Sequence, residues 1–165
     1  MQKIKIVKSK IEVKKVIGFL SSKEAFELEM NDFRQRARKD AVYGSLAKDN
    51  HRYWFAEDDK GAVIAAIGIG ENERRNGGYD LGYFAVHKDH RRKGLGSLLL
   101  QEAEAFARSK NGRFILIDTG DTALFQPARL FYEKSGYQAV SHIPDYYEEG
   151  DGRIDYYKKF SKLKK

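Results

Sequence analysis

Apolar residues recur along this chain in two periods, and the places where one period gives way to the other mark out the elements. Residues 3–7 alternate apolar with charged and predict a first strand. Ser21 or Ser22 can then cap a helix through Phe26, Leu28 and Met30, with Glu24 and Glu27 near its positive end. A second helical stretch is predicted over 33–46. Residues 51–56 and 62–70 are apolar, β-branched or aromatic runs, and the polar link Glu57-Asp58-Asp59-Lys60-Gly61 between them suits a hairpin. A second polar link, 71–78, leads to a third antiparallel run over 79–86. The helical period returns in Leu95, Leu98, Leu99, Ala103 and Phe106 and stops at Asn111-Gly112. Residues 114–117 then form a short buried strand, and 127–135 a helix with Pro127 at its first position and Gly136 just past its end. Two last strands, 137–142 and 153–160, are joined by the acidic loop 145–151. The order is β-α-α-β-β-β-α-β-α-β-β, an α+β pattern.

Composition narrows this picture modestly. A length of 165 residues suits one domain over 1–165 with its own hydrophobic core. The chain has no cysteine, which excludes disulfides, thiolate metal sites and a cysteine nucleophile. Its first twenty residues are basic and alternating, unlike a signal peptide, and no long apolar run follows, so the expectation is a cytoplasmic protein with no membrane partner. A net charge of +7 points to an anionic partner without choosing among nucleic acid, an anionic surface and a phosphorylated small molecule.

The choice comes from residues 86–100, where a strand ends, basic residues cluster and glycines open an amphipathic helix. Several backbone N–H groups at a helix start have no intrahelical partner and the macrodipole is positive there, so a pyrophosphate can be cradled if no side chain blocks it. Gly94 and Gly96 remove the Cβ where approach is closest, Arg91, Arg92 and Lys93 add charge, and Ser97 can donate a hydroxyl. Other phosphate motifs fit worse. There is no G-x-x-x-x-G-K-[ST] sequence, and Gly68-Ile69-Gly70 lacks the third glycine and the helix of a dinucleotide fingerprint.

The run Arg91-Arg92-Lys93-Gly94-Leu95-Gly96 resembles the R/Q-x-x-G-x-G/A signature of the GNAT superfamily of acyl-CoA-dependent N-acetyltransferases. Asp80-Leu81-Gly82-Tyr83-Phe84-Ala85-Val86 is similar to the strand that precedes it there, and Ala128-Arg129-Leu130-Phe131-Tyr132-Glu133-Lys134-Ser135-Gly136-Tyr137 to the family's A-x-x-x-Y-E-K-x-G-F/Y. The resemblance implies a mixed, mostly antiparallel sheet flanked by helices and splayed at the acyl-CoA site. It implies acetyl-CoA as co-substrate, with no metal, bound by backbone groups of Phe84, Ala85 and Val86 and by Arg91, Arg92, Lys93, Gly94, Leu95, Gly96 and Ser97. It implies Tyr132 as general acid for the leaving thiolate. One departure stands out: Phe125 occupies a place where many members carry asparagine, with Gln126 and Asp121 nearby.

An amine nucleophile is protonated near neutral pH and must lose a proton before it attacks. Asp80 occupies the place where some members carry a glutamate base. Glu71 is the next candidate, and His51 and His90 are weaker ones. In the acidic aromatic segment Tyr146, Tyr147 and Glu148 would favour a cationic acceptor. The reading is acetyl transfer to a primary amine of a small molecule or peptide. A non-catalytic acyl-CoA-binding or RNA-binding module is the alternative, although no RNA-binding motif is recognisable. Oligomeric state is open, a homodimer included.

Overall fold

The computed structural model describes residues 2–27 and 31–161. After the short strand β1 (Ile4–Ile6), the Ser9 hydroxyl accepts from the Glu12 N–H while the Glu12 carboxylate accepts from the Ser9 N–H, a reciprocal cap that starts α1 (Lys10–Leu20). The helix expected from Ser21 or Ser22 is therefore misplaced. Ser21 closes α1, and the Ser22 hydroxyl donates to the Phe19 carbonyl. The lysine-rich alternation concealed a capping signature, Ser9-Lys10-Ile11-Glu12, followed by Val13, Val16 and Leu20 at helical spacing, all of them fully buried. Leu28 and Met30 lie outside the described residues.

The second helix, α2 (Asp32–Ser45), falls where the pattern places it, capped by the Asn31 side chain accepting from the Arg34 N–H. The strands β2 (His51–Glu57), β3 (Val63–Glu71) and β4 (Gly78–Val86) form an antiparallel meander. Asp58 makes the first turn by accepting from the Lys60 and Ala62 N–H groups. Then come α3 (Leu95–Ser109), β5 (Phe114–Gly120), α4 (Gln126–Lys134), β6 (Gln138–Glu148) and β7 (Asp151–Lys159). The seven strands lie in the order β1-β2-β3-β4-β5-β7-β6, and β4–β5 is the parallel pair in an otherwise antiparallel sheet. Element order and mixed sheet agree with the α+β expectation.

The segment expected to be an acidic loop is mostly strand. β6 continues to Glu148, but its ladder with β7 breaks between Ile143 and Glu148. Pro144 has no N–H to give and Asp145 sits at φ +54°, so the chain bulges there and cannot offer a regular edge for further pairing.

Helices cover both faces. On one, Leu95, Leu99, Ala103 and Phe106 of α3 pack against Trp54, Ile67, Tyr79, Leu81 and Ile115, with the Phe106 ring edge-on to Trp54 at 5.6 Å. On the other, Val13, Val16, Leu20 and Val42 of α1 and α2 pack on Tyr53, Phe55, Ala66 and Ala85. Burying each of the valine, leucine, isoleucine and phenylalanine side chains among these contributes about 1.5–3 kcal/mol. Among the described residues this second cluster takes nothing from β5, β6 or β7, so α1 and α2 leave that half of the face uncovered. No described helix is long and apolar enough to cross a membrane.

Candidate active site

The parallel pair β4–β5 holds together only over Gly78↔Phe114, Tyr79↔Ile115 and Asp80↔Leu116. Beyond Asp80, β4 continues to Val86 against β3 alone and β5 to Gly120 against β7 alone, so a gap opens between them. A bulge in β4 falls at the same point, where Gly82 and Tyr83 oppose the single residue Gly68. The Tyr83 N–H, lost from the ladder, donates to the Tyr53 hydroxyl at 3.2 Å. That tyrosine lies so close across the sheet that a Cβ on Gly68 would be 2.1 Å from its ring and one on Gly82 2.7 Å from its oxygen. Glycine at both positions makes room for the Tyr53 ring across the bulge.

Past the bulge the His87 N–H donates to Ile64 of β3. Backbone groups alternate in direction along an extended strand, so those of Phe84 and Val86 point into the gap while Ala85, opposite Ala66, faces β3. The sequence grouped all three residues as cofactor-binding; the alternation separates Ala85 from the other two.

A short helical turn, Lys88–His90, leads from β4 to α3, whose N-terminus has no side-chain cap. Gly94 sits there at φ +81°, a conformation that L side chains rarely adopt, and no protein atom lies within 4 Å of an added Cβ. A Cβ on Gly96 would touch Phe84 and Val86 at 3.6 Å and Phe131 at 3.7 Å, which places Gly96 at the mouth of the gap. Arg92, Lys93 and Ser97 are exposed around this helix start, and Leu95 is buried beneath it. Lys93 donates to the Asp89 carbonyl. Arg91 turns elsewhere, its Nε donating to the Val86 carbonyl at 3.0 Å and its Nη1 to the Glu27 carboxylate at 3.0 Å.

Tyr132 lies in α4 with its ring packed against Phe131, Tyr137 and Tyr156 and only 7% of the residue exposed. Burial pushes its hydroxyl well above the ordinary tyrosine value, and the negative charge of Asp118 acts in the same direction. It is held protonated. Asp80 is the last residue paired before the gap opens. Its carboxyl reaches solvent, yet the protein around it raises its pKa by desolvation, and Asp118 and Asp155 add like charge against the pull of Arg153.

The other candidate bases divide by position. Glu71 accepts from Asn50 and from the Gly77 N–H, contacts that lower its pKa and commit it to the turn before β4. His51 stands in one cross-strand row with Gly70 and Asp80, its ring lying over Gly70, where an added Cβ would be 2.2 Å away. Burial lowers its pKa, so the imidazole is neutral at neutral pH. His90 lies in the turn before α3, edge-on to His87 and away from this row.

The uncovered face of β5–β7 carries residues that pattern reading missed. Asp118 and Asp155 are direct Cα partners on β5 and β7, on the same side of the sheet as Asp80. The Tyr147 hydroxyl donates to Asp118 at 2.7 Å, Ser141 and Arg153 donate to Asp155, and Arg153 also lies over the Tyr146 ring at 5.1 Å. The bulge in β6 thus folds both tyrosines back over this face. Glu148 is not with them: it pairs with Asp151 at the hairpin turn. At the divergent position the Phe125 ring packs where a Cβ on Gly120 would be 2.5 Å from it, and Asp121 is engaged by the Gly152 N–H and by His142, 2.7 Å away. Gln126 opens α4.

Residues 15–137 match the model of the acetyltransferase (GNAT) family. The chain is 38% identical over 106 residues to N-alpha-acetyltransferase 60 of Drosophila melanogaster, a match covering 60% of this chain and 35% of that protein, so it spans about a third of the relative's length. In overall fold it is similar to a protein described as a GNAT-family acetyltransferase from Desulfovibrio desulfuricans, with TM-score 0.83, 23% identity, and 96% of this chain and 99% of that one covered. It is also similar to a protein described as a streptothricin acetyltransferase from Bacillus anthracis, solved in complex with acetyl coenzyme A, with TM-score 0.73, 17% identity, and 98% and 99% covered. With the family model running from within α1 through the gap and the α3 N-terminus to the end of α4, the chain belongs to the acetyltransferase (GNAT) family.

Proposed function

We propose that this chain transfers an acetyl group from acetyl-CoA to a primary amine of a cationic small molecule or peptide, by direct attack within a ternary complex. The observation that carries the reading is the gap between β4 and β5, which leads from the uncapped N-terminus of α3 to the row holding Asp80. Phe84 and Val86 offer strand amides to the pantetheine arm, and Arg92, Lys93, Gly94, Gly96 and Ser97 surround the place for the pyrophosphate. The acetyl-CoA bound in the similar Bacillus anthracis structure supports the choice of acyl donor.

In this reading Asp80 takes the proton that frees the amine lone pair, directly or through water. The amine nitrogen attacks the thioester carbonyl carbon, the C–S bond breaks, and Tyr132 gives its proton to the departing sulfur. Asp118, Asp155, Tyr146 and Tyr147 hold the acceptor's positive charge on the uncovered face.

The test is free CoA released from acetyl-CoA across a panel of amines, polyamines, aminoglycosides and short peptides, alongside a thermal melt with excess acetyl-CoA. A ligand that binds only the native state raises its melting temperature by mass action, and at about a hundred times its dissociation constant it adds roughly 2.7 kcal/mol. No shift and no calorimetric binding would remove the acyl donor. Binding with no release on any amine would leave an acyl-CoA-binding module.

A smaller effect follows from the charges around Asp80. Because desolvation and Asp118 raise its pKa, the acid limb of kcat/KM is expected above the ordinary carboxylate range, with activity lost as the pH falls through it. Asp118→Asn removes one like charge, so the limb should move to lower pH, read from kcat/KM against pH for both proteins. A limb that stays in place gives the proton to another group, of which neutral His51 is next in the row.

A further inference from the structure

We propose that Arg91 is a positioning residue that ties the acceptor-side segment 24–27 to the phosphate end of the site, and is not a ligand of the pyrophosphate. The proposal rests on the reading of the α3 N-terminus as the pyrophosphate cradle. Each guanidinium nitrogen of Arg91 has a protein acceptor: Nε the Val86 carbonyl at 3.0 Å, Nη1 the Glu27 carboxylate at 3.0 Å, and Nη2 the Ala25 carbonyl at 3.4 Å. A planar fork can meet such a set and a point charge cannot. Beside it the Lys88 N–H donates to the Glu24 carbonyl at 3.0 Å, so segment 24–27 is fastened along the end of β4 by side chain and backbone together.

What the segment carries makes the tie matter. Ala25 is buried in the cluster beneath α1 and α2. Next to it the Phe26 ring stacks on the Arg38 guanidinium at 4.8 Å, and that guanidinium also lies 5.0 Å from the ring of Tyr83. Tyr83 belongs to the bulge where β4 leaves β5. A run of contacts therefore joins the turn before α3, through Arg91, the chain at 25–27, the Phe26 ring and Arg38, to Tyr83 at the bulge, where the half of the face covered by α1 and α2 ends. The Val86 carbonyl points into the gap and is already met by Arg91, whereas Arg92 is exposed beside the uncapped helix start. Phosphate affinity then comes from the helix N-terminus and the residues after Arg91, and the guanidinium of Arg91 serves the acceptor's wall.

The experiment compares Arg91→Ala, Arg91→Lys and Glu27→Gln with the wild-type protein. It uses CoA as the calorimetric probe, amide exchange at Lys88, and steady-state kinetics on the amine that turns over in the panel. In Arg91→Ala we expect a CoA dissociation constant within about twofold of wild type and exchange at Lys88 faster by about tenfold or more. The acceptor KM should rise about tenfold while kcat and the KM for acetyl-CoA stay within about threefold, a split that general loss of structure does not produce. Arg91→Lys should behave as Arg91→Ala, because the three donors of an ammonium radiate from one nitrogen and cannot reach acceptors spread around a planar fork, and Glu27→Gln should shift the same readouts in the same direction by less. The opposite pattern overturns the proposal: CoA affinity lost in Arg91→Ala, kept in Arg91→Lys, and Lys88 exchange unchanged in all three. A wild-type protein that neither binds CoA nor releases it from acetyl-CoA sinks the proposed function instead, and Lys88 exchange in the variants still decides whether Arg91 ties the segment down.

Discussion

Tyr132→Phe is expected to lower kcat by more than about tenfold while leaving the KM for acetyl-CoA nearly unchanged. The ring is fixed by its neighbours: Phe131, Tyr137 and Tyr156 surround it, and phenylalanine keeps those contacts. What the substitution removes is one proton donor. Desolvation and the charge of Asp118 raise the pKa of that hydroxyl and hold it protonated, the state the proposed mechanism requires of an acid. A developing thiolate in a site poor in water gains most from a donor that needs no reorganisation, and the ground-state thioester sulfur gains little, which is why the loss should fall on kcat. Steady-state kinetics and a melting temperature for both proteins check it. An equally stable and equally fast Tyr132→Phe would reduce Tyr132 to a packing residue and pass the proton to water or another donor near the sulfur.

The features legible in the sequence are those written in local pattern. The strand ending at Val86, the glycines at 94 and 96 and the helix beyond them carry their own signal, because a turn at φ +81° and an amphipathic period are both properties of neighbouring residues. The first helix was legible too, in the capping signature Ser9 to Glu12, but the alternation of lysines with apolar residues competes with it and suggests strand. Asp118 and Asp155 were not legible. Each reads locally as a charged interruption of a strand, and only the register that makes them Cα partners gathers them on one side of the sheet with Asp80, at the uncovered half of a face. Tyr147 meets Asp118 for a similar non-local reason, since β6 must bulge at Pro144 and Asp145 before the hydroxyl can cross β7. Arg91 shows the reverse case. Its place in the signature points to phosphate, and its partners, 64 and 66 residues away in Glu27 and Ala25, are invisible to any local pattern.

The same separation of local from distant effects sets the expectation for the glycines. Gly96→Val should weaken CoA binding by more than about tenfold, and by more than Arg92→Ala, whose exposed charge is worth about 0.2–1 kcal/mol. A Cβ at Gly96 alone would make ordinary contacts with Phe84, Val86 and Phe131 at 3.6–3.7 Å, so Gly96→Ala should fold with little cost. Valine adds two methyl groups beyond that shell. They must either press on Phe84 and Phe131, whose rings already sit 5.8 Å apart, or occupy the space before the first amides of α3. In the second arrangement one side chain spoils several backbone contacts to the pyrophosphate at once, whereas removing a solvated cation spoils one. Substitution at Gly94 would give a less clear answer, because any side chain at φ +81° strains the turn by roughly 1–2 kcal/mol and mixes stability with binding. Calorimetric dissociation constants for CoA, taken with melting temperatures of Gly96→Ala, Gly96→Val and Arg92→Ala, separate the two. Normal affinity in a folded Gly96→Val would place the phosphates away from the α3 N-terminus, and with them the whole course of the acyl donor through the gap.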